Sequence, residues 1–363
     1  MRSEAISVCY VPGREATYIR TRVLTRGMQQ AGLVVRDCSS AHRSALRYLI
    51  VFANFLRYRN RCNLVFVGFM GQPLVPLIKL FTRKAVVLDA YLSTYQTLVY
   101  DRKRIRPNGL LAKFVKSVER LSCRLSDHVL LDTNQHIEYF LKLYQLEPSR
   151  FSRSFVGADD SVLKPCPSPN NTTPLVHFHG GFQQLHGAPY IVEAASLLPA
   201  VRFRLVGSGP ELSYCQELAR KLELNNVEFV SPVSLEVLAE YVAESDICLG
   251  IFSESQKAQL VIPCKVFEAL AMKKPVVTAD TPAARELLTH MSDAYLCRVA
   301  EPASLAAAIG QLVSDDALRV QLAENGYRLF LEQCSPAVIG GEVRSVVEQV
   351  IDKRLTGKTA HVC

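Results

Sequence analysis

The chain has 363 residues, 49% hydrophobic and 21% charged, with 42 Lys and Arg against 34 Asp and Glu. That length exceeds what one hydrophobic core usually spans, and the composition excludes a disordered or low-complexity protein. A membrane-spanning helix needs about 20 apolar residues in a row, and the most apolar stretch, 64–81, is broken by Gly68, Gly71, Gln72, Pro73, Pro76 and Lys79.

Eleven cysteines, scattered and with no C-x-x-C pair, argue against a disulfide framework and against a zinc site. They fit a reducing, cytoplasmic compartment in which cysteine is a small core residue. The apolar run in the opening MRSEAISVCYVPG is too short for a signal peptide. Charge is uneven: residues 1–165 carry 26 Lys and Arg against 12 Asp and Glu, and residues 166–363 carry 16 against 22. A basic half joined to an acidic half points to two units with different partners.

AISVCYV (5–11) reads as the first strand, and REATYIRTRVLTRGMQQAG follows as a helix closed by Gly32. LVVRDC is the second strand. SSAHRSALRYLIVFANFLRYRNR is a long basic helix whose serines suit an N-cap. NLVFVGF, AVVLDA and DHVLLDT are further strands, separated by the helices PLVPLIKLFTR and GLLAKFVKSVERLSCRLS. A Pro-, Ser- and Asn-rich stretch then marks a linker near 160–172. Beyond it the strands LVHFHG, VRFRLVG, NVEFVSP, DICLGIF, PVVTAD and AYLCRVA alternate with the helices APYIVEAASLL, ELSYCQELARKLEL, SLEVLAEYVAES, PCKVFEALAM and PAARELL. Helices near 302–314, 316–331 and 336–354 end the pattern. Alternation of this kind predicts an α/β fold of two doubly wound, Rossmann-like domains, 1–165 and 172–335, with helix 336–354 packing back on the first. Ligands in such sheets bind at the carboxyl ends of the strands, so the cleft between two of them is the expected site.

Three windows carry candidate chemistry. In VIPCKVFEALAM, Pro263 stands at the expected helix start, and the N–H groups of Cys264, Lys265 and Val266 would face outward as an anion site. Lys265 and Glu268 share a helix face. They fit a diphosphate and a ribose hydroxyl respectively, or they form a surface ion pair. In HFHGGFQQLHGAPY, Gly180 and Gly181 end a strand and would let a phosphate approach the backbone. His186 is either a cation for a leaving phosphate or an ordinary surface histidine. His177 and His179 would lie on one side of that strand, with no third metal ligand in view. In LVGSGPEL, Gly207, Ser208 and Gly209 form a turn suited to lie under a nucleobase, and Val230 of VEFVSP would wall it. The third glycine of a dinucleotide fingerprint is missing. In the first half, Asp89 and Ser93 sit at and beyond the end of AVVLDA. Asp89 is a candidate for orienting the acceptor hydroxyl or the donor sugar and Ser93 for meeting the acceptor or a phosphate, or they serve in capping and loop hydrogen bonds. Arg14 and Arg20 would reach a phosphate, or lie solvated on the first helix.

These segments, with VGADDSVLKP and SDICLGIF, resemble those of the GT-B glycosyltransferases of family 4, the group 1 glycosyltransferases, in order and spacing across 156–288. The first half matches only loosely, through AVVLDAYLS and VLLDTNQHIEYF. The resemblance implies a C-terminal domain that binds a nucleotide-sugar and an N-terminal domain that binds the acceptor. It also implies transfer with retention of anomeric configuration and no metal. Three positions depart from the family pattern. Leu260 stands where the first glutamate of E-x7-E is common, and the Gly-Arg…Lys-Gly of the first loop reads Gly180-Gly181…His186-Gly187. Lys257, Lys265 and His186 would replace the missing charge.

The expectation is therefore a glycosyltransferase that uses a nucleotide-diphosphate sugar as donor substrate, with no cofactor and no metal. Its acceptor is a sugar, a lipid-linked molecule or a small molecule. A non-catalytic glycosyltransferase-like partner protein and a nicotinamide-dependent oxidoreductase are the alternatives. The basic, apolar first half suits contact with an anionic membrane surface. Its basic residues are dispersed among apolar ones without a nucleic-acid motif, so nucleic acid is not an expected partner.

Overall fold

The computed structural model describes residues 5–42, 44–165, 167 and 171–359. Part of the linker (166 and 168–170), and with it Cys166, as well as Cys363, lie outside the described residues. Two compact units emerge, one formed by 1–157 with 336–363 and the other by 158–335.

In the first unit the strands are β1 (Ser7–Val11), β2 (Val34–Asp37), β3 (Leu64–Val67), β4 (Ala85–Tyr91), β5 (His128–Leu131) and β6 (Phe151–Arg153). They form one parallel sheet in the order β2-β1-β3-β4-β5-β6. The order reverses between β1 and β3, the switch point at which loops diverge and leave room for a ligand. One face is covered by α1 (Ile19–Gln30), the other by α2 (Leu46–Tyr58), α3 (Leu74–Phe81), α5 (Leu110–Leu125) and α6 (Asn134–Tyr144), with a short α4 (Thr94–Gln96) before α5. The inner strands β1, β3, β4 and β5 are buried on both faces, which is why they read as nearly unbroken apolar runs.

Several sequence expectations move. The first helix starts at Ile19, not near Arg14, because residues 15–18 close a turn in which the Tyr18 N–H donates to the Glu15 carbonyl. Its end is as expected: Gly32 has φ +81° and its N–H returns to the Gln29 carbonyl. Of the serines before α2, Ser40 Oγ accepts from the His42 N–H, while Ser44 Oγ accepts from the N–H of Leu46, where the helix begins after Ala45. Strand β6 and helix α6 have no counterpart in the sequence reading. Strand β6 is three residues long and half-buried, and earns its place by pairing with β5. Helix α6 follows β5 directly, started by Thr133 Oγ1, which accepts from the His136 N–H.

The chain returns to this unit with α13 (Pro336–Thr359), which lies along α1. The two approach backbone to backbone at glycine: a Cβ on Gly340 would meet the Gly27 carbonyl oxygen at 1.9 Å. Ile339, Val343, Val347 and Val350 then join Val23, Leu24 and Met28 in one cluster.

Arg20 and Asp89 are corrections to the sequence reading. Arg20 is not solvated on α1 but fully buried. Its Nη2 lies 2.9 Å and its Nε 3.1 Å from the two oxygens of Asp89, and Nη1 donates to the Phe155 carbonyl at 2.5 Å. Asp89 lies inside β4 with no exposed surface, and both its oxygens are taken. It is a structural counter-ion within this unit, not a group presented to an acceptor. Ser93 is likewise engaged: Oγ accepts from the Gln96 N–H and donates to Glu119 at 2.7 Å. Arg14 remains near the surface after β1, paired with Glu15 at 2.8 Å and stacked over Tyr18.

The second unit holds β7 (Leu175–Gly180), β8 (Arg202–Gly207), β9 (Val227–Val230), β10 (Ile247–Leu249), β11 (Val276–Ala279) and β12 (Tyr295–Cys297). Its parallel order is β12-β11-β10-β7-β8-β9, so the strand order reverses between β7 and β10. Helices α7 (Ala188–Ser196), α8 (Leu212–Lys221), α9 (Leu235–Ala243), α10 (Cys264–Ala271), α11 (Pro302–Ser314) and α12 (Asp316–Leu329) flank it. The expected helix PAARELL shrinks to one 3₁₀ turn, Ala284–Glu286, because Leu287 leaves helical geometry and both Leu287 and Leu288 turn into the core. No helix among the described residues is long and apolar enough to cross a membrane. None of the nine described cysteines is in a disulfide, and all but Cys264 are buried.

Removing Arg20 would strand a buried carboxylate, which costs about 3–5 kcal/mol when one partner of such a pair is deleted. Arg20→Met is therefore expected to lower the urea unfolding free energy by about that amount. A variant as stable as the parent would show that Asp89 finds its compensation elsewhere.

Candidate functional site at the switch point of the second unit

The two glycine turns after β7 and β8 are pressed together. Gly180 has φ +155°, Gly207 +140° and Gly209 +157°. A Cβ on Gly207 would lie 1.9 Å from the Gly180 carbonyl oxygen, and one on Gly209 would lie 1.7 Å from that of Gly181. Only glycine permits both the backbone angle and the approach. The result is a platform of bare backbone at the carboxyl end of two adjacent strands. Above it opens a cavity of about 310 Å³, lined by His179, Gly180, Gly181, Gly207 and Ser208 and walled by Pro232, Val233 and Leu238. The wall is thus displaced from Val230 to the residues just past the end of β9.

On the other side of β7 the loop 181–187 is tied to the segment after β10 by the Phe252 N–H, which donates to the His186 carbonyl. Gly187, at φ +64°, opens α7. Across the switch point stands α10. Pro263 is its N-cap rather than its first helical residue, and the Val266 N–H donates to the Pro263 carbonyl. Val266 is thereby removed from the expected outward-facing amides, leaving Cys264 and Lys265 at the helix start.

Lys265 and Glu268 do not form the surface ion pair that their spacing allows; both are buried. Lys265 Nζ lies 4.0 Å from the Phe178 ring centroid and has no hydrogen-bond partner. Burial pushes its pKa down from 10.5 to about 7, with the Glu268 carboxylate pulling the other way. Glu268 turns instead to His179, accepting from its Nε2 at 2.6 Å. His179 Nδ1 faces His177 Nε2 at 3.0 Å. Because a carboxylate only accepts, the hydrogens run from His177 to His179 to Glu268. Neither histidine was expected in this role; their i, i+2 spacing beside a charged helix was the available signal.

Gly180 brings these groups together. A Cβ there would lie 2.9 Å from His186 Cε1 and 3.0 Å from Lys265 Nζ. His186 Nδ1 is buried without a partner, and burial, with Lys265, His179 and Lys257 nearby, holds its pKa well below the usual histidine range. It is therefore not a standing cation; it would gain a proton only beside a bound anion. Lys257 is also buried, and its charge is felt at His186. The switch point thus gathers three potential cations, of which two lack a hydrogen-bonding counterpart, beside backbone stripped of side chains. That arrangement is short of negative charge. No group of three His, Cys, Asp or Glu side chains among the described residues is placed to hold a metal ion.

Residues 173–315 match the family model of the group 1 glycosyl transferases. Among curated proteins the chain is 26% identical over 188 residues to N-acetyl-alpha-D-glucosaminyl L-malate synthase of Bacillus anthracis, covering 51% of this chain and 47% of that protein. It is 25% identical over 167 residues to the lipopolysaccharide core biosynthesis glycosyltransferase LpsE of Rhizobium meliloti, covering 46% and 47%. The match therefore spans about half the length of these relatives. Among solved structures, sucrose-phosphate synthase from Thermosynechococcus elongatus superimposes with a TM-score of 0.74 at 15% identity, covering 96% of this chain and all of that one. HepE of Anabaena in complex with UDP-glucose gives 0.73 at 14%, covering 95% and 100%. The fold is that of the GT-B glycosyltransferases. Its second unit is where the match to the group 1 glycosyl transferases lies.

A buried, unpartnered ammonium destabilises the fold in its charged form. The unfolded lysine titrates near 10.5 and the folded one near 7, so the unfolded chain binds more protons between these values and stability rises with pH across that window. Lys265→Met is expected to be more stable than the parent by at least about 1 kcal/mol at pH 7. The difference should shrink toward pH 10. A destabilised variant, or a difference independent of pH, would contradict this account.

Proposed function

We propose that the protein is a glycosyltransferase that takes a nucleotide-diphosphate sugar in the second unit and passes the sugar to an acceptor hydroxyl. The observation that carries this reading is Lys265, a buried amine without a hydrogen-bonding partner, aimed at the Gly180 backbone at the switch point. A diphosphate supplies the missing charge. In this reading the nucleobase enters the cavity against Pro232 and Val233, over the Gly207–Gly209 turn. Glu268, its second oxygen not used by His179, accepts from a ribose hydroxyl. Gly180, Gly181, Cys264 and Lys265 hold the phosphates. HepE, which shares the fold, is known in complex with UDP and with UDP-glucose, which supports a nucleotide-sugar as donor class here.

Transfer breaks the bond between the anomeric carbon and the diphosphate oxygen and forms one to the acceptor oxygen. The acceptor proton passes to the departing diphosphate, so attack comes from the face the leaving group vacates and configuration is retained. The residues lower the barrier by meeting charge as it develops on the diphosphate. Lys265 takes up a proton there, His186 is protonated as the anion approaches, and Lys257 adds its field. With that charge supplied by side chains and amides, the reading assigns no metal and no cofactor. Buried cysteines outside disulfides fit a cytoplasmic setting. Asp89 and Ser93 have no part in it, and the acceptor is met by other groups.

Two measurements test the reading. Glu268→Ala should raise the donor KM or the Kd for UDP by roughly tenfold or more, as losing a hydrogen bond to a charged group does, while the protein stays folded. Unchanged donor kinetics would remove Glu268 from the site. Because the free protein holds Lys265 near pKa 7 and a bound diphosphate raises it, binding at pH 8 should take up protons. Calorimetry in buffers of different ionisation enthalpy reads that uptake, and UDP affinity should fall as pH rises above 7. Lys265→Met should reduce both effects, leaving the share that His186 contributes.

A further inference from the structure

The first unit has an unusual outer surface on α3 and α5. Leu110 is 85% exposed, Phe114 63% and Leu80 79%. On α5, Leu110, Phe114 and Leu121 are four and seven residues apart and form one stripe, opposite the buried Ala112, Glu119 and Cys123. Lys113 and Arg124 flank the stripe, and Arg102, Lys103, Arg104 and Arg106 lie exposed in the loop that leads into it. From 102 to 124 the chain carries eight Lys and Arg and a single acid, Glu119. That acid is buried and held by Ser93 Oγ and the Thr94 N–H, so it does not offset the surface charge. Between α3 and α5 opens a cavity of about 310 Å³ with an almost wholly apolar lining, from Pro73 and Pro76 on one side to Phe114, Val115 and Val118 on the other.

We propose that this face docks on an anionic lipid bilayer, with Leu110 and Phe114 inserted among the acyl chains, the basic loop at the headgroups, and the cavity taking one hydrocarbon chain. Large apolar side chains ringed by cations, at the end of a helix, are the pattern of an interfacial anchor. A second copy of the same face would bring two positive surfaces together, which opposes self-association through it. A nucleic acid offers nothing to bury three large aliphatic and aromatic side chains. A bilayer satisfies both features at once. The acceptor of the proposed transfer is then lipid-linked, a step that rests on the glycosyl-transfer reading; the docking itself does not.

The chain contains no tryptophan, so Leu110→Trp creates a single reporter on the full-length protein. With vesicles of phosphatidylcholine and phosphatidylglycerol its emission should shift to the blue and be quenched by lipids brominated in the acyl chain. Pure phosphatidylcholine should give neither. Without the reporter, the protein should co-sediment with the anionic vesicles. Arg104→Glu with Arg106→Glu should weaken that binding by roughly tenfold or more, given the contribution of each cation at such a surface. Leu110→Asp with Phe114→Asp should abolish it while leaving the urea midpoint and UDP binding intact. Emission that stays unshifted overturns the proposal, as does vesicle binding that ignores either pair of substitutions. So does an oligomer that Leu110→Asp and Phe114→Asp dissolve in the absence of vesicle binding. Loss of UDP binding in the parent protein would remove the transfer reading and leave the docking result standing.

Discussion

Two stretches of backbone touch where a side chain would normally separate them. Gly207 rests on the carbonyl of Gly180 and Gly209 on that of Gly181, closer than any Cβ would allow. This contact joins the ends of β7 and β8 into one surface and leaves nothing projecting from it. The rest of the site is arranged around that bare surface: Lys265 and His186 at Gly180, His179 leading to Glu268, and Pro232 and Val233 as a wall. A methyl group at 207 or 209 would part the turns, and the charged groups of α10 would lose the edge they face.

The two units treat a buried cation in opposite ways. Arg20 is surrounded by acceptors, two from Asp89 and one from the Phe155 carbonyl, and its charge is spent on holding β4 to α1. Lys265 has an aromatic face and no acceptor. A fold under selection for stability alone would have paired it or replaced it by an apolar residue. Uncompensated charge in a buried, glycine-floored recess is a common mark of a functional site, and the diphosphate of the proposed donor would supply the counter-ion.

Much of this was readable from the residues. Among the described residues, eleven of the twelve strands were legible in the sequence, the central ones most clearly, because a parallel sheet covered on both faces leaves a continuous hydrophobic signature. The glycine turns and the Lys265–Glu268 helix were legible because their chemistry is local: strand, glycine, helix start. What failed was non-local. Strand β6 is defined by its neighbour β5, not by its own Phe-Ser-Arg. Asp89 and Arg20 are separated by 69 residues, and nothing in either segment announces that each is the other's partner. An aspartate at a strand's carboxyl end reads as functional until the arginine that consumes it is placed. His179 was visible as half of an H-x-H pair, but its link to Glu268 spans 89 residues. Pro263 missed its helical position by one residue, a shift that decides which amides are available and that propensity does not resolve.

The packing of α13 on α1 has a bearing on biosynthesis. Ile339, Val343, Val347 and Val350 complete a core whose other half is made of residues near the start of the chain. As the polypeptide leaves the ribosome, the first sheet emerges early but stays uncovered along α1. The second unit, contiguous in sequence, has all of its parts before residue 336 is made. The order of synthesis and the order of completion are thus inverted, and the nascent first unit must keep an apolar flank from aggregating until its last helix is translated.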